Sequence, residues 1–143
     1  MENNSKKIIT ILSDHRLRNT KVRRDVLSLF VEKQEALSHQ FIEQEIHELD
    51  RITLYRTLRT FEKNGIIHKA IDGSEKAKYA LCIDGCTDHH HEDEHAHFHC
   101  DRCNRTFCLE EVIIPPIQVP QGYHINSTYL VLNGLCKQCL ASM

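Results

Sequence analysis

The sequence predicts an α+β chain: a helical N-terminal half closed by a two-stranded wing, then a small strand-rich C-terminal half tied by four cysteines. Three observations carry that expectation. Apolar residues recur at helical spacing as far as residue 64, and two short β-type runs follow around Asp72-Gly73-Ser74-Glu75. A Cys100-x-x-Cys103 pair is then matched by Cys136-x-x-Cys139. At 143 residues the chain suits one ordinary domain or two small ones. Neither of two would have a large core, so metal or dimerisation is expected to complete the stability.

An amphipathic stretch covers residues 6–14. A second helix reads over residues 20–33, with Val22, Val26 and Phe30 on one stripe and Thr20 available as N-cap. A third reads over residues 38–49, where Ile42, Ile46 and Leu49 share a stripe. Asp50 can cap a fourth, residues 51–64, built on Leu54, Leu58 and Phe61 and stopped by Gly65. Its other face carries Tyr55, Arg56, Arg59 and Lys63, with Thr53, Thr57 and Thr60 between them and one acid, Glu62, nearby. Long cationic donors beside short hydroxyls suit phosphates and major-groove base edges, and an aromatic ring can touch a thymine methyl. The plainer alternative is a solvated helix face.

Residues 66–71 and 78–82 read as the two strands of a hairpin. Helices followed by a hairpin are the order of a winged-helix DNA-binding domain, expected over residues 1–83. In such a fold the fourth helix enters the major groove, and Arg18, Arg23 and Arg24 near the start of the second reach the backbone or the adjacent minor groove. The residues expected to meet DNA are Arg18, Thr20, Arg23, Thr53, Tyr55, Arg56 and Arg59.

Charge supports two halves with different tasks. Residues 1–79 hold 15 Lys+Arg against 12 Asp+Glu, net +3, while residues 80–143 hold 3 against 8, net −5. A balance of +3 is too weak to prove nucleic-acid binding, so placement has to decide. The opening MENNSKKIITIL is neither a secretory apolar core nor a membrane span, and a cytoplasmic protein without membrane partners is expected. Seven cysteines in a reducing compartment then favour metal ligation over disulfides. Cys82, Cys86 and Cys108 fall outside the two pairs, and each has the alternative of packing as a small buried hydrophobe.

Six histidines and five cysteines crowd residues 82–108. Each two-residue knuckle of a C-x-x-C pair lets both sulfurs approach one ion at about 2.3 Å, so Cys100, Cys103, Cys136 and Cys139 suit a tetrahedral zinc site. Residues 84–94 are polar without periodicity and read as a His-rich hinge, leaving residues 95–143 as a zinc-binding dimerisation domain. Within residues 95–100, His95, His97 and His99 alternate with Ala96, Phe98 and Cys100 as a strand demands. His95 and His99, about 13 Å apart along a strand, do not easily share an ion, so at most one adjacent pair belongs to a given metal. The run His89 to His91 reads as a solvated loop that binds metal loosely.

Two enzyme motifs occur literally. His91-Glu92-Asp93-Glu94-His95 has the H-E-x-x-H spacing of metalloproteases, but its flanks are charged loop residues rather than an amphipathic helix. His90-x-Glu92 with Cys100-x-x-Cys103 echoes zinc deaminases, but His99 stands where that motif needs proline. No catalysis and no small organic substrate are expected.

With these pieces placed, the chain resembles the ferric uptake regulator (Fur) superfamily of metal-dependent bacterial repressors over nearly its whole length. The matching segments are Leu17-Arg-Asn-Thr-Lys-Val-Arg23, Thr53-Leu-Tyr-Arg-Thr-Leu58 and Gly65-Ile-Ile-His68. His95-x-His97-x-x-Cys100-x-x-Cys103 and Gly134-x-Cys136-x-x-Cys139 complete the set. The resemblance implies a homodimer joined through a C-terminal α/β domain, with Cys100, Cys103, Cys136 and Cys139 around a structural zinc. It also implies that Arg18 probes the minor groove, while Tyr55 and Arg56 meet the bases of a palindromic double-stranded operator. A regulatory metal would sit between the halves on His68, Cys82, His95 and His97, donors that converge only in one relative orientation. Three imidazoles and one thiolate suit Zn²⁺, and Tyr79-Ala-Leu-Cys82 looks like the zinc uptake regulator (Zur) branch.

The expectation is therefore a zinc-responsive repressor carrying about two zinc ions per chain. An iron- or manganese-sensing regulator, or a zinc-stabilised interaction protein that binds no DNA, is the alternative. The chain departs from the family in three places. Cys108 stands where iron- and peroxide-sensing relatives have an acid, and either adds a thiolate to the regulatory site or packs as a small hydrophobe. Ala96, Ser127 and Thr128 occupy positions where many members have a second regulatory site, which is expected to be absent. Pro115, Pro116 and Pro120 forbid a long helix where the family usually has one for dimerisation, leaving open a strand-mediated dimer through residues 129–132.

Overall fold

Each of the second, third and fourth helices starts on a residue whose side chain accepts a backbone N–H that would otherwise have no partner. The computed structural model of the protein describes residues 2–82 and 95–143. The expected hinge, with Cys86 and the run His89 to His91, lies outside the described residues, as does the H-E-x-x-H run apart from His95. Helix α1 (Glu2–Asp14) lays Ile8 and Leu12 into the core. In α2 (Lys21–Lys33) the Thr20 hydroxyl accepts from the Arg23 N–H, and Gln34, at φ 54°, ends the helix in the left-handed conformation. Ser38 caps α3 (His39–Glu45) and Asp50 caps α4 (Arg51–Lys63) in the same way. Gly65, at φ 75°, turns the chain out of α4 where a side chain would be strained.

The stripes read from the sequence meet in one core of Val26, Leu27, Phe30, Ile42, Leu54, Leu58 and Phe61, together with Ile66 and Ile67 from the wing. The third helix is shorter than the periodicity predicts, ending at Glu45 rather than at residue 49. Asp50 must stand extended, at ψ 157°, to cap α4, so the intervening residues reverse the chain. Ile46 and Leu49 nevertheless remain packed on the core.

The wing is β2 (Ile67–Ala70) and β3 (Lys78–Leu81), antiparallel, with His68 opposite Ala80. A two-residue strand, β1 (Leu37–Ser38), which no periodicity announces, pairs with the outer edge of β3.

The second sheet has β4 (His95–Cys100) at its centre, antiparallel to β5 (Thr106–Ile113) and parallel to β6 (Val131–Gly134). A short helix, α5 (Lys137–Ala141), follows. Residues 114–130 contain neither helix nor strand, and Pro115, Pro116 and Pro120 account for the missing long helix. The predicted architecture, helices and wing followed by a small α/β unit, is the one observed. The two parts meet at a backbone bridge, where the Ala36 N–H donates to the Thr106 carbonyl at 2.8 Å. Among the described residues no helix is long and apolar enough to cross a membrane.

Candidate metal centres and the exposed face of the fourth helix

Strand β4 places two sets of donors on its two faces. On one face Cys100 is buried, and the donor atoms of Cys100, Cys103, Cys136 and Cys139 lie within 4.8 Å of one another. Cys103 sits in the tight turn after β4, where Asn104, at φ 62°, returns its N–H to the Cys100 carbonyl at 2.9 Å. Cys136 precedes the first turn of α5 and Cys139 lies within it, which brings the second pair to the first. All four are free thiols. The Cys103 and Cys136 sulfurs are 3.8 Å apart. Four sulfurs at about 2.3 Å from a tetrahedral zinc lie about 3.8 Å apart, so this pair already stands at the separation the ion needs. The N–H groups of Cys103 and Cys136 point at the Cys100 sulfur, at 3.5 and 3.3 Å. These backbone donors hold the Cys100 thiol down to about 6, against an ordinary 9.0, so one thiolate stands ready at neutral pH.

The opposite face of β4 turns toward the wing. His68, His95, His97 and Cys108 bring their donor atoms within 4.8 Å of one another. The imidazole centroids of His95 and His97 are 4.8 Å apart, and His68 lies 5.2 and 6.0 Å from them. His68 comes from β2, His95 and His97 from β4, and Cys108 from β5, so the cluster exists only where the two halves meet. A β-bulge between His95 and Ala96 perturbs the simple alternation. His97 is 1% exposed, and neither of its ring nitrogens, nor Nε2 of His95, has a hydrogen-bond partner among the described residues. Buried polar atoms without partners are costly, and a metal ion would satisfy them. Burial, helped by repulsion from His95, pushes the His97 imidazole down to about 4, so it is neutral with a lone pair free at physiological pH.

The two thiols expected near this site are placed differently. The Cys108 sulfur is 3.4 Å from Nε2 of His68, inside the cluster, whereas Cys82 lies against the other nitrogen, 3.2 Å from Nδ1. The expected set of His68, Cys82, His95 and His97 thus converges with Cys108 as the fourth member and Cys82 at its edge. His99, the last of the histidine row, leaves the cluster for Thr106 and Asp72, in keeping with the limit of one adjacent pair per ion.

On α4, Tyr55 is 52% exposed and Arg56 and Arg59 stand beside it. Arg59 donates to the Tyr55 hydroxyl at 3.1 Å and lies over its ring. The hydroxyl-bearing surface expected between them is largely absent. Thr57 is buried and donates to the Thr53 carbonyl, Thr60 to the Arg56 carbonyl, and Thr53 to Asp50. Hydroxyls inside a helix find the carbonyl one turn back before they find a ligand. Ile52 is 65% exposed on the same face, as its position off the Leu54–Leu58–Phe61 stripe requires. Near the start of α2, Thr20 is occupied as a cap. Arg23 donates to the Arg18 carbonyl at 3.0 Å and Arg24 to Asn19 at 2.6 Å, which braces the loop that carries the exposed Arg18.

Comparison with known proteins accords with this architecture. The ferric uptake regulator family model matches residues 14–122. A ferric uptake regulation protein of Staphylococcus aureus is 32% identical over 142 residues, 95% of this chain and 98% of that one. Among solved structures, holo XcZur matches with a TM-score of 0.64 at 22% identity, over 99% of both chains. A zinc uptake regulator complexed with zinc and DNA matches with 0.62 at 21%, over 99% of this chain and 95% of that one. At these identities the structural likeness establishes a common fold. With the family model spanning residues 14–122 and a relative 32% identical over almost the full length, the chain belongs to the ferric uptake regulator family.

Proposed function

We propose that the protein is a zinc-responsive transcriptional repressor that binds palindromic operator DNA as a homodimer in the cytoplasm, without catalysis. The observation that carries this reading is the cluster of His68, His95, His97 and Cys108, assembled from both halves with three buried ring nitrogens lacking partners among the described residues. Those four, with Cys82 beside His68, would hold the regulatory ion. Cys100, Cys103, Cys136 and Cys139 would hold a structural one, giving about two zinc ions per chain. A divalent ion bound there supplies the free energy that ties the wing to the C-terminal sheet. The donors themselves define one relative placement of residues 1–83 and 95–143, with residues 84–94 as the hinge, so filling the site selects that placement. In it Ile52, Tyr55, Arg56 and Arg59 of α4 would face the major groove and Arg18 the backbone or minor groove.

The donor set supports zinc, since among the described residues the cluster holds three imidazoles and a thiolate and no carboxylate, which suits a borderline-soft tetrahedral ion. The ferric name of the staphylococcal relatives supports iron as the second reading. Dimerisation is supported by exposed large apolar side chains concentrated in the C-terminal half, Ile113, Ile117, Tyr123, Tyr129 and Leu140 among them.

The test is metal content per chain before and after mild chelation, together with DNA binding titrated with zinc, iron and manganese. Two zinc ions, one removed easily and restoring DNA binding on return, are expected. Restoration by iron or manganese alone would overturn the zinc assignment. Absence of metal-dependent DNA binding would leave a zinc-stabilised interaction protein. Arg56→Ala is expected to weaken specific binding by about 1–3 kcal/mol, and unchanged affinity would remove α4 as the reading element.

A further inference from the structure

Neither proposed metal site nor the α4 surface accounts for Asp72. It lies in the turn between β2 and β3, yet its side chain is 1% exposed. Its carboxylate accepts from the Ser74 N–H at 2.9 Å and from the Ser74 hydroxyl, and the Lys78 ammonium lies 3.0 Å away. Those partners belong to the wing. Its remaining partners come from the other half: the Thr106 hydroxyl donates to it at 2.7 Å, and Nδ1 of His99 is 3.6 Å away. The hydrogen-bond donors hold the carboxyl well below the usual carboxylate range despite its burial.

Further bonds converge on the same point. Lys78 also donates to the Thr106 hydroxyl at 3.1 Å and to the Asn104 carbonyl at 3.0 Å. The Thr106 carbonyl accepts the Ala36 N–H. Between Asn104 and Thr106, Arg105 pairs with Glu35 and donates to Gln138 of α5 at 2.6 Å. A buried carboxylate whose partners are divided between two bodies is satisfied only when those bodies meet in one way.

The position of this network along the strands gives it a consequence. His97 pairs with Cys108 across β4 and β5, and the next same-face pair along the ladder is His99 with Thr106. On the wing, His68 precedes Asp72 by four residues. The carboxylate network therefore lies one step beyond the metal cluster, along β4 and β5 on one side and in the turn that follows β2 on the other. We propose that Asp72 is a positioning residue that, through Thr106, latches the wing onto the C-terminal sheet and so preorganises the His68, His95, His97 and Cys108 cluster before metal arrives. Preorganisation lowers the ordering cost of binding, so the latch sets the metal concentration at which the regulator responds without itself touching metal. This last clause rests on the functional reading above, whereas the latch does not.

The test uses the full chain with its four-cysteine metal in place and two nearly isosteric variants, Asp72→Asn and Thr106→Val. Amide hydrogen exchange at Ala36 reads latch opening directly, and amides inside α2 and α4 report whether the variant still folds. Both variants are expected to speed Ala36 exchange about tenfold or more while the helix amides keep their protection, as loss of a charged hydrogen bond predicts. Zinc affinity at the cluster, read by chelator competition, is expected to fall about tenfold with every ligand intact. Ala36 protection unchanged in both variants would overturn the latch, and faster exchange with unaltered zinc affinity would overturn its positioning role. Failure of the unsubstituted protein to bind a second metal would instead overturn the functional reading, and Ala36 exchange would still decide the latch.

Discussion

The two donor clusters share one strand and differ in what they require of the rest of the molecule. Cys100, Cys103, Cys136 and Cys139 all lie within residues 100–139, at the end of β4, in the turn after it and at the start of α5, so every ligand comes from the C-terminal half. His68, His95, His97 and Cys108 come from β2, β4 and β5, and dissolve as a group if the wing moves away from the second sheet. A cluster confined to one body can only hold that body together. A cluster divided between two bodies reports their orientation, which is what a switch requires.

Breaking the first cluster is expected to have the largest effect. Structural zinc contributes on the order of 10–16 kcal/mol to small domains. Cys136→Ser should therefore cost the C-terminal half its fold while the helical core around Phe30 and Phe61 persists, as read by amide dispersion and metal content. A C-terminal sheet that stays ordered without its metal would erase the distinction between the clusters.

Breaking the second should leave the fold and remove the response. His97→Ala is expected to weaken the exchangeable metal by about a hundredfold or more, with the four-cysteine metal retained, as measured by chelator competition. Equal loss of both metals would mean that the clusters are not independent.

The thiols sharpen the comparison further. Cys108→Ser and Cys82→Ser should each raise the zinc concentration needed for DNA binding by about tenfold, with structural metal unchanged. A variant that responds at the original concentration would mark its thiol as packing only.

The smallest effect concerns protons. In protein stripped of the exchangeable metal, His97 is held down to about 4 against an ordinary 6.5. The unfolded state takes up its proton first, so stability is fully present above 6.5 and falls as pH drops toward 4. The loss is roughly 1 kcal/mol over the first unit of acidification. His97→Gln should flatten that part of the Tm profile, and an unchanged slope would place its cause elsewhere.

Much of this was legible in the chain because the signals are local. Thr20 and Asp50 cap the helices predicted for them, since a cap needs only the N–H three residues on, and Ser38, expected as the first residue of the third helix, caps it instead. Val26, Phe30, Leu54, Leu58 and Phe61 are buried because helical spacing puts them on one face. The C-x-x-C pairs announce their geometry through a two-residue knuckle. Inside the helix, local competition worked against the reading, because Thr53, Thr57 and Thr60 spend their hydroxyls on Asp50 and on carbonyls one turn back.

Turn, cap and knuckle geometry act within a few residues, which is why the helices, the wing, the lack of a long helix after Pro115 and each C-x-x-C pair could be read from the chain. It took tertiary packing to pair β1 with β3, to set Cys108 and Cys82 against the two nitrogens of His68, and to bury Asp72 against Thr106. Those outcomes join residues far apart in the chain, Leu37 with Tyr79, His68 with Cys108 and Asp72 with Thr106. No local periodicity encodes them, because they depend on how two packed bodies meet and which buried donors and acceptors satisfy each other there.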